Sequence, residues 1–187
     1  METPFSLIHQ LCPVQGAALR SEASMTIAHM RIDNRLIHGQ VTVKWVGAVR
    51  ADHLIVANDG VAADEIQRMI LPQAARGVKT SILTIDETLD YCTKPQASSE
   101  RIMVIAKLPT DALRLLQGGL DPQEINVGNQ APSPGTKFTM VTRSIAVTAD
   151  DARVYRELAG QGTPIVSMMM PTDKQTDFVA LLAHKGL

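Results

Sequence analysis

At 187 residues, with 45% apolar and 20% charged side chains, the chain fits a single globular domain with a substantial core. Its net charge of −1 gives no support to nucleic-acid binding, which usually needs a basic face, and 3% aromatic residues are too few for base-stacking platforms. No apolar run approaches the roughly 18 residues of a membrane-spanning helix.

The first segment, residues 1–24, is mildly apolar and contains no Lys or Arg before Arg20, which argues against a secretory signal. Strand-like patterning begins at Met25. We therefore expect 1–24 to be an extension, disordered or docked on the domain, and 25–187 to be one domain. Cys12 and Cys92 show no metal-type pairing, which favours a reducing cytoplasm, although one disulfide stays open.

Seven segments have the apolar or β-branched pattern of strands: 25–32, 53–58, 79–85, 101–107, 124–128, 138–147 and 164–170. Helical patterns lie between or after them, at 62–71, 84–92, 109–118, 148–162 and 172–186. Short, continuously apolar strands are typical of parallel strands covered on both faces. The alternation predicts an α/β domain with an open, mainly parallel β-sheet and helices on both faces.

Two helical patterns make specific predictions. In 62–71 the pattern puts Ala62, Ile66, Met69 and Ile70 on one face of an amphipathic helix, with the charged residues Asp64, Glu65 and Arg68 off that face. Residues 41–45 alternate like an exposed strand, but residues 40–50 put Trp45 and Val49 on one helical stripe. Length and the α/β alternation favour a helix there.

The stretch RIDNRLIHGQV (31–41) places His38 in the loop between the first strand and this helix. That position is the carboxyl edge of the sheet, where open α/β folds bind ligands, and the helix N-terminus suits an anion such as phosphate. Gly39 lets backbone approach closely, and the fork of Arg35 can stabilise a phosphoryl group. Asp33 can orient Arg35 or the imidazole. On these residues alone, a phosphoryl-accepting histidine and an ordinary polar loop both remain open.

Two other phosphate motifs fail to match. Histidine phosphatases use a contiguous Arg-His-Gly, whereas this chain has Arg-Leu-Ile-His-Gly. A dinucleotide or P-loop fold needs a glycine-rich turn after the first strand, and neither G-x-G-x-x-G nor G-x-x-x-x-G-K-[ST] occurs.

RIDNRLIHGQV, followed by KWVG, LIVANDGVAAD and LPTDALRLLQGGLDPQEINVGN, resembles the IIB components of the mannose/fructose/sorbose family of bacterial sugar phosphotransferase systems. The resemblance covers about residues 25–180. It implies an open, mostly parallel sheet flanked by helices and supports the helix at 40–50. One departure is Asn34, which stands where an acidic residue is common in the motif.

The resemblance also implies a function. His38 would accept a phosphoryl group on Nδ1 from the phosphohistidine of a IIA domain, leaving Nε2 for a backbone or carboxylate contact. It would then pass the group to a sugar entering through the membrane subunits IIC and IID. No metal or organic cofactor is implied, and the protein is expected in the cytoplasm beside that membrane complex. The sugar stays open, as does the formation of a homodimer.

Further candidates lie at strand ends. Arg31 is expected to face the phosphate or to form a surface salt bridge. Four further residues are expected to line the site or to serve as turn and cap residues, namely Asn58, Asp59, Gly128 and Asn129. His29 reads as a packed histidine, Trp45 as the anchor of its helix, and residues 168–170 as methionine packing. His9, His53 and His184 show no partner in the sequence.

Two alternatives to a phosphoryl carrier are kept. One is a regulatory or binding protein that retains the fold without transferring phosphate to sugar. The other is an unrelated small-molecule-binding α/β domain, which the ordered series of motif matches disfavours.

Overall fold

The computed structural model describes residues 27–187, which form nine strands and seven α-helices. The strands are β1 (Ile27–Asp33), β2 (His53–Ala57), β3 (Lys79–Leu83), β4 (Ile102–Ala106), β5 (Ile125–Asn129), β6 (Thr139–Met140), β7 (Ala146–Val147), β8 (Ile165–Ser167) and β9 (Thr176–Asp177). The helices are α1 (Gly39–Val49), α2 (Asp59–Ala63), α3 (Glu65–Ala74), α4 (Ile85–Cys92), α5 (Pro109–Gln117), α6 (Ala149–Gly160) and α7 (Phe178–His184), and a 3₁₀ turn spans Pro95–Ser99. The predicted extension at 1–24 lies outside the described residues.

The main sheet has the strand order β3-β2-β4-β1-β5-β8-β9. All of its neighbouring pairs are parallel except β8 and β9. The predicted open, mainly parallel sheet is therefore confirmed. The connection from β1 runs past β4 to β2, whereas the connection from β4 crosses β1 to reach β5. This divergence opens a crevice at the carboxyl ends of the central strands.

Right-handed crossovers in these two directions place helices on opposite faces of the sheet. The two buried apolar clusters match that arrangement. One contains Trp45 of α1 and Leu71 of α3, and the other contains Leu115 of α5, Tyr155 of α6 and Phe178 of α7. None of the helices in residues 27–187 is long and apolar enough to span a bilayer.

The α1 prediction is confirmed, and its physical basis is the packing of Trp45, which is only 3% exposed. Two other predictions are wrong in detail. The single strand expected at 138–147 is a short antiparallel hairpin of β6 and β7. The C-terminal helix is shorter than 172–186, because the side chain of Asp177 caps it by accepting a hydrogen bond from Ala180 N.

The predicted helix 62–71 is two helices, and of the four apolar residues expected on one face only Ala62 is buried. The side chain of Asp64 accepts hydrogen bonds from the backbone N–H groups of Ile66 and Gln67, which ends α2 and begins α3 in a new phase. Helix α3 therefore turns Leu71 to the core and leaves three large apolar side chains in solvent. These are Ile66 (67% exposed), Met69 (64%) and Ile70 (49%).

At the amino edge of the sheet, His53 is buried and has partners that the sequence did not reveal. Its Nδ1 lies 2.7 Å from Glu100 Oε2, and its Nε2 lies 2.9 Å from Ser81 Oγ. The Glu100 carboxylate also accepts hydrogen bonds from Lys79 Nζ and Tyr91 O–H. Burial alone raises the pKa of Glu100, but the hydrogen bonds from Lys79, Tyr91 and His53 outweigh it and hold that pKa at about 2.

This network predicts an acid-sensitive contribution to stability. A carboxyl whose pKa is lowered in the folded protein stabilises the fold fully at pH values above its ordinary pKa of 4.5. That stabilisation is lost as the pH falls toward the lowered pKa of about 2. We expect Glu100→Gln to lower the free energy of unfolding at neutral pH. The difference in unfolding free energy between wild type and variant should shrink as the pH falls from 4.5 to about 2. Urea denaturation across this range measures it, with exposed Glu157→Gln as the control. A gap that does not change with pH would contradict the prediction.

Candidate functional site

The loop after β1 is shaped by a tight turn and by two residues in the left-handed region. Leu36 N donates to Asp33 O at 3.0 Å, and φ is 61° at Leu36 and 35° at Gly39. Burial of the Leu36 and Ile37 side chains holds this turn in place. The loop ends with His38 as the N-cap residue of α1, in an extended conformation, with its side chain 26% exposed.

The carboxylate of Asp33 is the centre of the site and is only 1% exposed. Its Oδ1 accepts hydrogen bonds from the backbone N and from Nε of Arg35, both at 3.1 Å. Its Oδ2 contacts Arg35 Nη2 at 3.1 Å, Arg31 Nη2 at 3.2 Å and His38 Nε2 at 3.3 Å. The structure thus brings together four of the predicted site residues.

This contact determines which nitrogen of His38 carries the proton. Burial raises the pKa of Asp33. The hydrogen bonds from His38 and Arg35 and the charge of Arg31 lower it by more, so the net pKa is about 2. An ionised carboxylate can only accept hydrogen bonds, so His38 Nε2 must donate. In the neutral imidazole, Nδ1 then carries the lone pair.

Arg31 lies behind this cluster and is 2% exposed, so the expectation of a surface salt bridge is wrong. Its Nη1 donates to Asn126 Oδ1 at 3.0 Å and to the backbone oxygen of Met168 at 3.1 Å. Its Nη2 donates to the backbone oxygen of Met169 at 3.4 Å. These carbonyls were not foreseen, because a backbone acceptor leaves no mark on the sequence.

Trp45 joins α1 to the same group of residues. Its ring stacks on His29 with centroids 4.5 Å apart, the Arg31 guanidinium lies 5.2 Å from the ring centroid, and Nε1 donates to Met169 O at 2.9 Å. His29 is the packed histidine that was predicted, and burial together with the charge of Arg31 lowers its pKa to about 4. Residues 168–170 do more than pack, since Met169 Sδ also accepts a hydrogen bond from Arg35 Nη2 at 3.6 Å.

At the end of β5, Gly128 leaves the space that Arg31 occupies. A Cβ at Gly128 would lie 1.8 Å from Arg31 Nη2. Next to it, the Asn129 amide lies 2.7 Å from Asn34 Oδ1, and Asn34 also bonds the backbone N and O of Ala131, both at 3.1 Å. Asn34 therefore ties the loop after β5 to the end of β1.

Asn58 and Asp59 are placed apart from the Asp33 cluster. Asn58 caps α2 by accepting from Val61 N, and its Nδ2 donates to Asp111 Oδ2 at 2.8 Å. Asp59 accepts from Ile85 N and pairs with Arg114. These contacts connect the start of α2 with α4 and α5, which matches the cap role that was the alternative to lining the site.

The arrangement provides a partly exposed imidazole side chain at the start of a helix and a guanidinium that is 37% exposed beside it. His38 makes no side-chain cap, so its side chain does not satisfy the first N–H groups of α1. Among residues 27–187, no three His, Cys, Asp or Glu side chains are grouped so as to hold a metal ion. The arrangement is suited to binding an anion at the start of α1, beside an imidazole that can act as a nucleophile.

Comparison with known proteins gives consistent matches. The family model of the sorbose subfamily IIB component of the PTS system matches residues 27–187. The N-acetylgalactosamine-specific phosphotransferase enzyme IIB component 2 of Escherichia coli K12 is 34% identical over 153 residues, covering 81% of this chain and 96% of that protein. The mannose-specific EIIAB component of the same strain is 29% identical over 181 residues. The match covers 96% of this chain and 55% of that relative. The IIBSor domain of the sorbose permease from Klebsiella pneumoniae superposes with a TM-score of 0.81 at 29% identity, covering 86% of this chain and 98% of that domain.

The fit of Arg31 against Gly128 makes a prediction about stability. We expect Gly128→Ala to lower the free energy of unfolding by about 1–3 kcal/mol or more, because the added methyl group displaces a buried ion-paired guanidinium. Chemical denaturation measures the change. Gly160→Ala, at the last residue of α6, is the matched control, since nothing lies within 4 Å of a Cβ there and the added methyl group should not destabilise the fold. Equal stability of Gly128→Ala and wild type would contradict the packing described here.

Proposed function

The chain belongs to the sorbose subfamily of IIB components of the sugar phosphotransferase system, and from this membership we propose that His38 is its phosphoryl carrier. His38 accepts a phosphoryl group from a IIA phosphocarrier and passes it to an incoming sugar at the IIC/IID membrane complex. This proposal places the protein in the cytoplasm, in transient contact with that complex. It leaves the sugar and the formation of a homodimer undecided.

The single observation that carries the proposal is the contact between Asp33 and His38 Nε2. It makes Nδ1 the nucleophilic nitrogen. In the first step, Nδ1 attacks the phosphorus of the donor phosphohistidine, a new N–P bond forms, and the donor imidazole leaves with the electron pair of the bond that breaks. In the second step, a sugar hydroxyl oxygen attacks the phosphorus, the Nδ1–P bond breaks with its electron pair returning to His38 Nδ1, and the hydroxyl proton passes to solvent.

Two groups support the transferred phosphoryl oxygens. The Arg35 guanidinium is held by Asp33 and is partly exposed, so it can pair with an anion bound at His38. The N-terminal amides of α1 and the positive end of its dipole add a fixed partial charge at the same place. Both stabilise charge spread over the equatorial oxygens of a loose phosphoryl-transfer transition state.

Other nucleophiles in residues 27–187 are poorer candidates. Cys92 is buried in α4, and burial raises the pKa of its thiol to about 11. His29 is stacked under Trp45, and both nitrogens of His53 have partners. The alternative of a regulatory protein with the same fold is less well supported, because it has no need of the Asp33–Arg35–His38 arrangement.

The first experiment is labelling of the purified chain from phosphoenolpyruvate with the general phosphotransferase proteins and a IIA phosphocarrier of this family. Intact mass under non-acidic conditions should show one added phosphoryl group on the wild type and none on His38→Ala. His184→Ala, which changes an exposed histidine of α7, should label like the wild type. Label that persists on His38→Ala would assign the role to another residue, and an unlabelled wild type would support the regulatory alternative.

A second experiment tests Asp33 as a positioning residue. We expect Asp33→Asn to slow phosphoryl transfer by roughly 100-fold or more, because a neutral amide neither fixes the tautomer of His38 nor holds Arg35 as well. Nitrogen NMR of the imidazole should show a single tautomer in the wild type and a mixture in the variant. Exposed Asp86→Asn is the control, and a denaturation curve establishes that each variant is folded. An unchanged tautomer with an unchanged rate would remove Asp33 from the mechanism.

A further inference from the structure

The segment after β8 contains three consecutive methionines, and they differ in what their side chains contact. Met169 Sδ accepts a hydrogen bond from Arg35 Nη2 at 3.6 Å. The side chain of Met168 packs against the apolar cluster of α1 and α3. Met170 is held through its backbone N, which donates to Asp173 Oδ2 at 2.8 Å. A chemical change at the Met169 sulfur therefore acts directly on the guanidinium that the proposed reaction uses.

The backbone of Met169 is fixed by two buried donors. Its carbonyl oxygen accepts hydrogen bonds from Trp45 Nε1 at 2.9 Å and from Arg31 Nη2 at 3.4 Å. Both donor side chains are buried, so a shift of the segment would leave buried N–H groups unpaired. A change at the Met169 sulfur is therefore transmitted to Arg35 and is not absorbed by movement of the backbone.

The thioethers are the oxidisable sulfur groups in the part of the chain that the structure describes. The cysteine there, Cys92, is buried, and burial raises the pKa of its thiol to about 11, so the reactive thiolate is scarce. A thioether needs no deprotonation to react with a peroxide. Met169 is half-buried and its partner Arg35 is exposed, so a small oxidant has access to this contact. Met30 and Met103, by contrast, are 0% exposed.

Oxidation by hydrogen peroxide changes what Met169 offers to Arg35. The sulfur attacks one peroxide oxygen, the O–O bond breaks, and that oxygen stays on sulfur while the other leaves as water. Sulfur loses two electrons and the peroxide gains them. The product is methionine sulfoxide, which methionine sulfoxide reductases return to methionine. A sulfoxide oxygen carries partial negative charge, so it accepts a much stronger hydrogen bond from a guanidinium than a thioether sulfur does.

The stronger bond competes with the phosphoryl group for Arg35. Arg35 Nη2 carries two hydrogens, and its partners are Asp33 Oδ2 at 3.1 Å and Met169 Sδ at 3.6 Å. The hydrogen on the sulfur side is weakly held, so a phosphoryl oxygen bound at His38 can take it while Met169 is reduced. A sulfoxide oxygen would hold that hydrogen and would repel the phosphoryl oxygens.

We propose that Met169 is a site of reversible oxidation by peroxide, and that its sulfoxide slows phosphoryl acceptance at His38 by engaging Arg35. The inference rests on the proposed function and adds a redox control to the same site. The rate of acceptance then follows the oxidation of one methionine and not the total oxidation of the protein.

The test measures the rate of labelling by a purified phospho-IIA of this family before and after mild hydrogen peroxide, and peptide mass mapping locates the added oxygen atoms. We expect the wild-type rate to fall about 10-fold or more as Met169 is oxidised, and to recover after treatment with methionine sulfoxide reductases. Met169→Leu should keep the rate that it had before treatment. Met140→Leu, which removes an exposed methionine of β6, should lose rate as the wild type does.

A second variant reproduces the oxidised state without peroxide. Met169→Gln carries an amide oxygen in place of the sulfoxide oxygen, so we expect it to be slow from the start, with a denaturation curve establishing that it is folded. A rate for Met169→Gln equal to that of Met169→Leu would overturn the proposal.

Three further results would overturn the proposal. One is a Met169 that stays reduced after the exposed Met69 and Met140 are oxidised. The second is an unchanged labelling rate once Met169 is oxidised, and the third is an equal loss of rate in Met169→Leu. If the untreated wild type accepts no phosphoryl group, the proposed function fails. The nitrogen NMR signal of Arg35 Nε still tests the contact, because it should shift on oxidation of the wild type and stay in place in Met169→Leu.

Discussion

The buried ion pair between Arg31 and Asp33 is the constraint on which the site depends. Removing both charges from water is costly, and the cost is offset only where the remaining donors and acceptors find partners. Asn126 and the carbonyls of residues 168–169 meet the requirement for Arg31, while Arg35 and His38 meet it for Asp33. Strands β1 and β5 and the segment after β8 are therefore fixed relative to one another by the same interaction that orients the imidazole.

Much of this was predictable from the sequence because the informative residues lie in one stretch. The spacing of Asp33, Arg35 and His38 after an apolar strand predicted that these side chains lie at the carboxyl edge of the sheet with Asp33 orienting the other two, and the structure places them in contact there. The contribution of the methionine segment was not predictable, since it acts through backbone oxygens. The partners of His53 were not predicted because Glu100 and Ser81 are distant from it in sequence. The orientation of Ile66 depends on the break between α2 and α3, which the side chain of Asp64 creates by capping α3. A helical periodicity read across this break places Ile66 on the wrong face.

The departure at Asn34 has a structural explanation. Its amide donates to Ala131 O through Nδ2 and accepts from Ala131 N through Oδ1, so one side chain forms both bonds that a neighbouring strand would form. An ionised aspartate offers acceptors alone and would leave the carbonyl of Ala131 without this donor. The loss of an acidic residue from the motif thus coincides with a gain in the ordering of the loop after β5. The electrostatic centre remains at Asp33, one residue earlier.

Trp45 gives the molecule an internal optical reporter. It is the one tryptophan of the chain, so all indole emission comes from a ring that stacks on His29 and lies near the Arg31 guanidinium, with Nε1 donating to Met169 O. Indole emission responds to nearby charge and to the hydrogen bond at its nitrogen. A rearrangement of the methionine segment or of the Arg31 guanidinium on binding of a ligand or a partner is therefore open to stopped-flow spectroscopy without any added label.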